Sequence, residues 1–407
     1  MSLGIRAHHL VLLGATGFVG RLTAQHLARY APPDLRIALA GRSHERLAAV
    51  RAELGGSSAH WPLVVLDVCD AAAVADLARS TRVVLTTVGP YLHRGLPLVQ
   101  ACAEAGTDYA DLTGETLFVR RSIDAAHASA SASGARIVHA CGFDSVPSDL
   151  GVGLTAGRAA ADGAGTLTET VLHVRSLRGG VSGGTVDSLR QQVLEMAADP
   201  EARAVAGRSD ALADGPRRRH RSSGRRRAIR RDEATGRWQA PFVLGAFNRQ
   251  IVLRSNALSG ALYGPEFDYR EVVDTGRGPR GAVAAAALSG GAAALTAGLW
   301  LGPTRALLDR VLPAPGTGPG ERTLQDGRFV LEIQAGTTSG ARYRTIVSAQ
   351  RDPGYYGTAV MLGESGLSLA LDDLPRRAGV LTPMVALGEA LAARLRRHDF
   401  VLETTQD

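Results

Sequence analysis

The stretch that decides the fold is Gly14-Ala15-Thr16-Gly17-Phe18-Val19-Gly20. It follows a short apolar run, His8 to Leu13, and leads into helical spacing from Leu22 to Tyr30. A glycine-rich turn between a strand and a helix is the setting of a dinucleotide-binding fingerprint. Gly14 permits the tight turn, and Gly17 lets backbone N–H groups approach a pyrophosphate. Gly20 allows close helix–strand packing, and the helix N-terminus adds roughly half a positive charge. The whole stretch, with Ala15, Thr16, Phe18 and Val19, is therefore read as a cofactor-binding segment.

Strand and helix signals go on alternating to about residue 150. Leu35 to Ala40, Leu63 to Leu66, Val83 to Thr87, Thr107 to Tyr109 and Ala135 to Ala140 read as strands. Helical patterns separate them, which implies crossovers and a doubly wound parallel sheet of Rossmann type, an α/β fold. After Gly151 the pattern changes. Val171 to Ser176, Arg249 to Arg254, Arg328 to Gln334 and Thr345 to Gln350 read as strands of a second, mixed α+β domain. The expected division is 1–150, 151–380, and a C-terminal helix within 381–407 that opens at Thr382-Pro383 and returns to the first domain. Pro313 to Gly320 reads as a turn or linker.

The second strand selects the dinucleotide. A site for NAD usually carries an acid there to accept from the ribose 2′-hydroxyl. This strand ends Ala40-Gly41-Arg42-Ser43, with no acid before Glu45. The Arg42 fork matches a 2′-phosphate and its plane can stack on adenine, so NADPH is the expected cofactor, with Ser43 beside it. Asp67, at the end of the third strand, offers an acceptor for the adenine amino group or serves as a helix cap. The fourth strand ends Thr86-Thr87-Val88-Gly89-Pro90-Tyr91. Open α/β sheets bind ligands beyond the strand carboxyl ends, so Thr87, Val88, Gly89 and Pro90 are expected along the nicotinamide ribose, with Tyr91 facing substrate. Two further segments concentrate polar groups, Tyr109 to Glu115 and Gly142 to Asp149. The second supplies Asp144 and Ser145, which join Tyr91 as candidate catalytic residues. Capping alone would also explain much of both segments.

Composition removes other classes. The 407 residues carry 46 basic side chains, all arginine, so Schiff-base, Walker and Tyr-x-x-x-Lys chemistries are excluded. Three cysteines make neither a disulfide framework nor a zinc motif, and a reducing, cytoplasmic compartment follows. No H-E-x-x-H or G-x-S-x-G occurs, so no metal site is expected. Nine of the arginines lie between Pro216 and Arg231; without them the net charge of +7 becomes −2. That run reads as a solvated loop or a surface for anionic lipid or an acyl carrier, and no nucleic-acid-reading module accompanies it. Gly281 to Thr304 is 24 residues without a charge. It reads as a helical hairpin, buried or lying on a surface, so membrane association stands beside the cytoplasmic reading.

These segments together resemble the saccharopine dehydrogenase-like oxidoreductases. GATGFVG, AGRS, TTVGPY, YADLTGE and GFDSVPSDLG occur in the family's order, followed by SGGT (182–185), WQAPF (238–242), RSNAL (254–258), PGTGPG (315–320) and GVLTP (379–383). The chain is most similar to the actinobacterial branch called trans-acting enoyl reductases, and the likeness runs nearly its whole length. The resemblance implies an NADP-binding Rossmann domain, a mixed second domain and a C-terminal return helix. It also implies reduction, in trans, of enoyl intermediates of lipid or polyketide synthases, on an acyl or lipid-like substrate that a carrier protein can hold. Saccharopine-type reduction of an amino or keto acid is the alternative. A membrane-associated NADP-binding protein with little turnover is the third reading.

Overall fold

A computed structural model of the chain describes residues 6–179, 183–213, 229–233, 235–300, 303–304 and 326–407. The first sheet opens with β1 (His8–Leu13), α1 (Phe18–Tyr30), β2 (Ile37–Gly41), α2 (His44–Leu54), β3 (Leu63–Val65), α3 (Ala71–Ser80) and β4 (Thr81–Thr86). It continues through α4 (Tyr91–Arg94), α5 (Leu96–Ala105), β5 (Asp108–Asp111), α6 (Thr116–Ser133), β6 (Arg136–Val138) and α7 (Val146–Ala161). The second sheet is built from β7 (Leu167–Arg178), α8 (Gly183–Ala198), α9 (Pro200–Ala206), β8 (Arg230–Arg231), β9 (Arg237–Pro241) and α10 (Gly245–Leu258). To these it adds β10 (Asp268–Arg277), α11 (Gly278–Trp300), β11 (Arg328–Thr337) and β12 (Arg342–Ala349). Then come α12 (Thr358–Leu371), β13 (Gly379–Leu381), α13 (Pro383–Ala386), α14 (Gly388–Arg396) and β14 (Val401–Gln406).

The first sheet has the order β13-β6-β5-β4-β1-β2-β3, and every pairing is parallel. Strand order reverses between β1 and β4, which opens a ligand crevice there. β2 is buried at every position, as a parallel strand covered on both faces must be. The second sheet, β14-β12-β11-β7-β10-β9-β8, is mixed: β7 and β10 run parallel, and the other pairs are antiparallel.

Two helices join the sheets. α12 packs on α1 and β4, and its residues Ala359 to Leu369 are buried all round. A helix apolar on every face belongs in a core. α7 lies against β11 and β12, where a Cβ at Gly151 would fall 2.4 Å from Ile333 Cδ1. The expected division at residue 150 therefore falls inside a helix that packs on the second sheet.

Three local expectations change. Arg249 to Arg254 lies within α10, not in a strand; a short apolar run cannot by itself distinguish the two. The segment 381–407 is not one returning helix. It holds α13, α14 and the strand β14, which pairs with β12 of the second sheet. The chain returns to the first sheet earlier, through α12 and β13. Gly281 to Thr304 is not a buried hairpin: it forms most of the single helix α11, largely exposed. Residues 217–227 of the arginine run and the 313–320 turn lie outside the described residues.

One buried charge cluster fastens α1, α12 and the turn before β14. Glu364 Oε1 accepts from His26 Nε2 at 2.6 Å and His398 Nε2 at 2.9 Å, and Arg394 donates to Oε2 at 3.2 Å. Burial alone would raise the Glu364 carboxyl, but the hydrogen bonds from His26 and His398 bring it down to about 2. A depressed carboxyl stabilises the fold above its unfolded pKa and loses that contribution as pH falls through the folded value. Glu364→Gln is thus expected to cost on the order of 2–3 kcal/mol at neutral pH. Urea unfolding should show the gap between the two proteins closing as pH falls from about 5 toward 2.

Candidate active site

The glycine turn sits at the switch point. Gly14 adopts φ +87°, a conformation suited to glycine, and its N–H donates to the Ala40 carbonyl at 2.9 Å. A Cβ at Gly20 would lie 2.1 Å from the Gly14 oxygen, so only glycine lets α1 approach β1 this closely. Gly17 is the exposed N-cap of α1 and no side chain caps it. The first N–H groups of the helix are left for an anion, which is the fit a pyrophosphate requires. Ala15 is buried beneath the turn, Thr16 is half-buried, Phe18 meets Tyr355 edge-on, and Val19 faces a cavity.

Beyond β2, Arg42 is exposed and its guanidinium makes no hydrogen bond among the described residues. Ser43 caps α2, its Oγ accepting from Arg46 N at 3.3 Å. Asp67 closes a local turn by accepting from Cys69 N at 2.9 Å, which, with Arg42 and Arg94 nearby, holds its carboxyl below the usual range. No acid stands between Gly41 and the start of α2 to repel a 2′-phosphate. If Arg42 holds that phosphate, Arg42→Ala should weaken NADPH binding roughly 10- to 150-fold and NADH hardly at all. Fluorescence titration of both coenzymes checks this; equal losses would remove Arg42 from the role.

At the other end, Thr87 ties the β4 exit to the glycine turn, its Oγ1 donating to the Gly14 carbonyl at 3.1 Å. Val88 N donates to Thr86 Oγ1 at 3.2 Å, and the Gly89–Pro90 bond is cis. Beyond them opens a cavity of about 440 Å³. Thr87, Gly89, Pro90, Gly142, Phe143 and Asp144 contribute from the first domain; α8, α10 and the segment before α10 close the far side.

The three candidate catalytic residues are placed differently. Tyr91 borders the cavity with its ring, but its hydroxyl donates to the Thr86 carbonyl at 3.1 Å and accepts from Leu112 N at 3.2 Å. Its hydroxyl is therefore engaged by the backbone at the strand ends. Ser145 is fully buried and donates to Asn248 Oδ1 at 3.0 Å. Asn248 and Ser148 both bond the buried Glu271, so Ser145 secures α7 to α10 and β10. Of these three, only Asp144 presents its polar group to the cavity, whose lining also includes Asp187 of α8. The Asp144 carboxyl has no hydrogen-bond partner among the described residues, and burial raises its pKa to about 6.

Sequence reasoning undervalued the groups that hold this site in shape. Glu115 accepts from Tyr91 N at 3.1 Å, Leu92 N at 2.6 Å and Ser188 Oγ at 2.6 Å, so it caps α4 and anchors α8. Buried Asp111 accepts from Tyr109 at 2.9 Å and His139 at 2.7 Å, and His139 meets Ser122 at 2.7 Å. This Ser-His-Asp line is sealed in the core and fixes the β5 and β6 ends that frame the cavity. Both acids belong to the YADLTGE segment, but nothing local reveals their partners. His93 is exposed, near Gln191 of α8, and does not line the cavity.

A glycine turn at the switch point, an arginine rather than an acid after β2 and a cavity beyond the β4 exit fit an NADP-dependent oxidoreductase. Residues 10–138 match the family described as saccharopine dehydrogenase NADP binding domain. The chain is 46% identical over 424 residues to a trans-acting enoyl reductase of Mycobacterium ulcerans, covering 100% of both chains. It is 45% identical over 419 residues, again covering 100% of each, to a trans-acting enoyl reductase of Mycobacterium tuberculosis. Among solved structures, apo saccharopine dehydrogenase from Saccharomyces cerevisiae shares the fold, with a TM-score of 0.54 at 15% identity over 98% of this chain and 100% of that one. The chain belongs to the saccharopine dehydrogenase-like family, in its trans-acting enoyl reductase branch.

Proposed function

We propose that the chain uses NADPH to reduce an α,β-unsaturated acyl intermediate of lipid or polyketide assembly, in trans, while the acyl group is held on a carrier protein or offered as a lipid. The cavity lining carries this reading. Leu112, Phe143, Leu189, Met196, Val243 and Phe247 make it largely apolar, and no arginine or histidine is among the described residues that line it. A saccharopine-type substrate would bring carboxylates into this space with no cation to pair them, at a cost of several kcal/mol for each buried charge. An enoyl chain asks only for apolar contact and one polar group at its carbonyl.

Bound NADPH supplies the hydride that the β-carbon receives. The glycine turn and the α1 N-terminus would hold its pyrophosphate, Arg42 and Ser43 would meet its 2′-phosphate, and the Thr87–Pro90 segment would border its reacting end. Protonated Asp144 hydrogen-bonds the thioester oxygen as negative charge develops there, then gives its proton to the α-carbon. Tyr91 and Ser145 are positioning residues that hold the cavity wall in register. The test is NADPH oxidation with crotonyl and longer enoyl thioesters beside NADP+ reduction with saccharopine. Turnover of the thioesters alone is expected, turnover of saccharopine alone would reverse the assignment, and coenzyme binding without any turnover would favour the third reading. Peripheral contact with a membrane also belongs to this proposal, and the exposed apolar helix α11 supports it.

A further inference from the structure

We propose that α11 and the arginines around its base form a docking surface for an anionic phospholipid bilayer, with the helix lying in the membrane interface. α11 is 23 residues long and apolar enough to cross a bilayer, yet only 11% of its most apolar 18-residue stretch is buried. A core helix of this composition would be covered. Here Val283 is 69% and Leu288 51% exposed, and residues 290–294 are exposed on every side. Exposed apolar surface on this scale marks an interaction site.

The charge at its base says what kind of surface it meets. Arg277 ends β10 directly opposite Arg237 of β9, and Arg280 follows within the first turn of α11, which has no acid. Like charges directly opposite on neighbouring strands repel, and the helix dipole adds positive field at the same place. All three side chains are exposed, and none forms an ion pair among the described residues. Arg230 and Arg231 of the adjacent edge strand β8 line an open surface cavity with Trp238. Glu233 is the one acid lining that cavity among the described residues. A dense cationic collar beside a long uncharged helix matches negatively charged headgroups above acyl chains.

The helix lies on the membrane rather than crossing it, because both ends are fastened to the folded body. At the start, Thr275 donates to the Gly281 carbonyl at 2.8 Å beside Trp238. At the end, Leu299 is buried and Trp300 lies under the Arg203 guanidinium of α9, 5.1 Å from its ring centroid. A span would need those ends on opposite faces of the bilayer. α11 also packs on α8, whose Leu189 and Met196 line the cavity. A membrane-held acyl chain would therefore arrive one helix away from the site, a corollary that rests on the function proposed above.

The full chain should float with vesicles of phosphatidylcholine plus phosphatidylglycerol, not with phosphatidylcholine alone, and release as salt screens the arginines. The double change Arg237→Glu, Arg277→Glu should weaken that binding at least about tenfold. Leu288→Asp should weaken it comparably, and both variants should keep their NADPH affinity as evidence of folding. Flotation undiminished by either variant would overturn the proposal. So would no flotation at all, or a concentration-dependent dimer that Leu288→Asp disperses, since a second copy would then cover the helix. None of these readings depends on turnover, so failure here and failure of the enoyl reductase assignment can be told apart.

Discussion

Asp144→Asn is expected to lower kcat for enoyl thioester reduction by roughly 10²- to 10³-fold while leaving NADPH affinity and KM nearly unchanged. The amide keeps the shape of the carboxyl and removes its transferable proton. The wild-type carboxyl is poised for that role: burial without a compensating hydrogen bond raises it to about 6, close to working pH. Its acidic form is the active one, so kcat/KM should fall as pH rises through that value and beyond. The Asn variant should lose this alkaline limb. A drop of less than about fivefold, with the pH profile intact, would mean that solvent delivers the proton and that Asp144 only shapes the cavity.

Gly20→Ala should be nearly as damaging, through the fold of the cofactor turn rather than through chemistry. The added methyl would sit 2.1 Å from the Gly14 oxygen and 3.0 Å from Ala15 Cα, so α1 must move away from β1. Those contacts are backbone and cannot rotate aside. A shift of about 1 Å would carry the Gly17 N-cap off the pyrophosphate position and cost on the order of a hundredfold in NADPH affinity. Gly157→Ala in α7, away from the cofactor turn, is the control: its Cβ would meet nothing within 4 Å. Calorimetric titration with NADPH should find Gly20→Ala far weaker than Gly157→Ala; comparable binding by both would mean that the turn does not set the cofactor's place.

What was legible in the sequence was what short segments encode by themselves. The glycine turn, the absence of an acid after β2 and the alternation of β1 through β6 all follow from local spacing, and the first sheet has the expected parallel order. The second sheet was harder because its edges are decided far away. β14 is a six-residue polar-rich strand that exists only because β12 pairs with it, and α10 contains the apolar run that first reads as a strand. The site divided in the same way. The GFDSVPSD segment pointed to Asp144, but the directions of the Tyr91 and Ser145 hydroxyls depend on the Thr86 carbonyl and on Asn248, a hundred residues further along the chain. The exposure of α11 was equally hidden, since an uncharged Gly/Ala-rich segment has the same composition whether covered or bare.

The most direct test of the account follows one atom. NADPH carrying deuterium on the transferred C4 position should be mixed with an enoyl thioester and excess enzyme for a single turnover, and the saturated product examined by mass spectrometry and NMR. The account predicts one deuterium at the β-carbon and a solvent-derived hydrogen at the α-carbon. Coenzyme oxidation that leaves the β-carbon unlabelled, or label passing instead to the imine carbon of a saccharopine-type substrate, would contradict it.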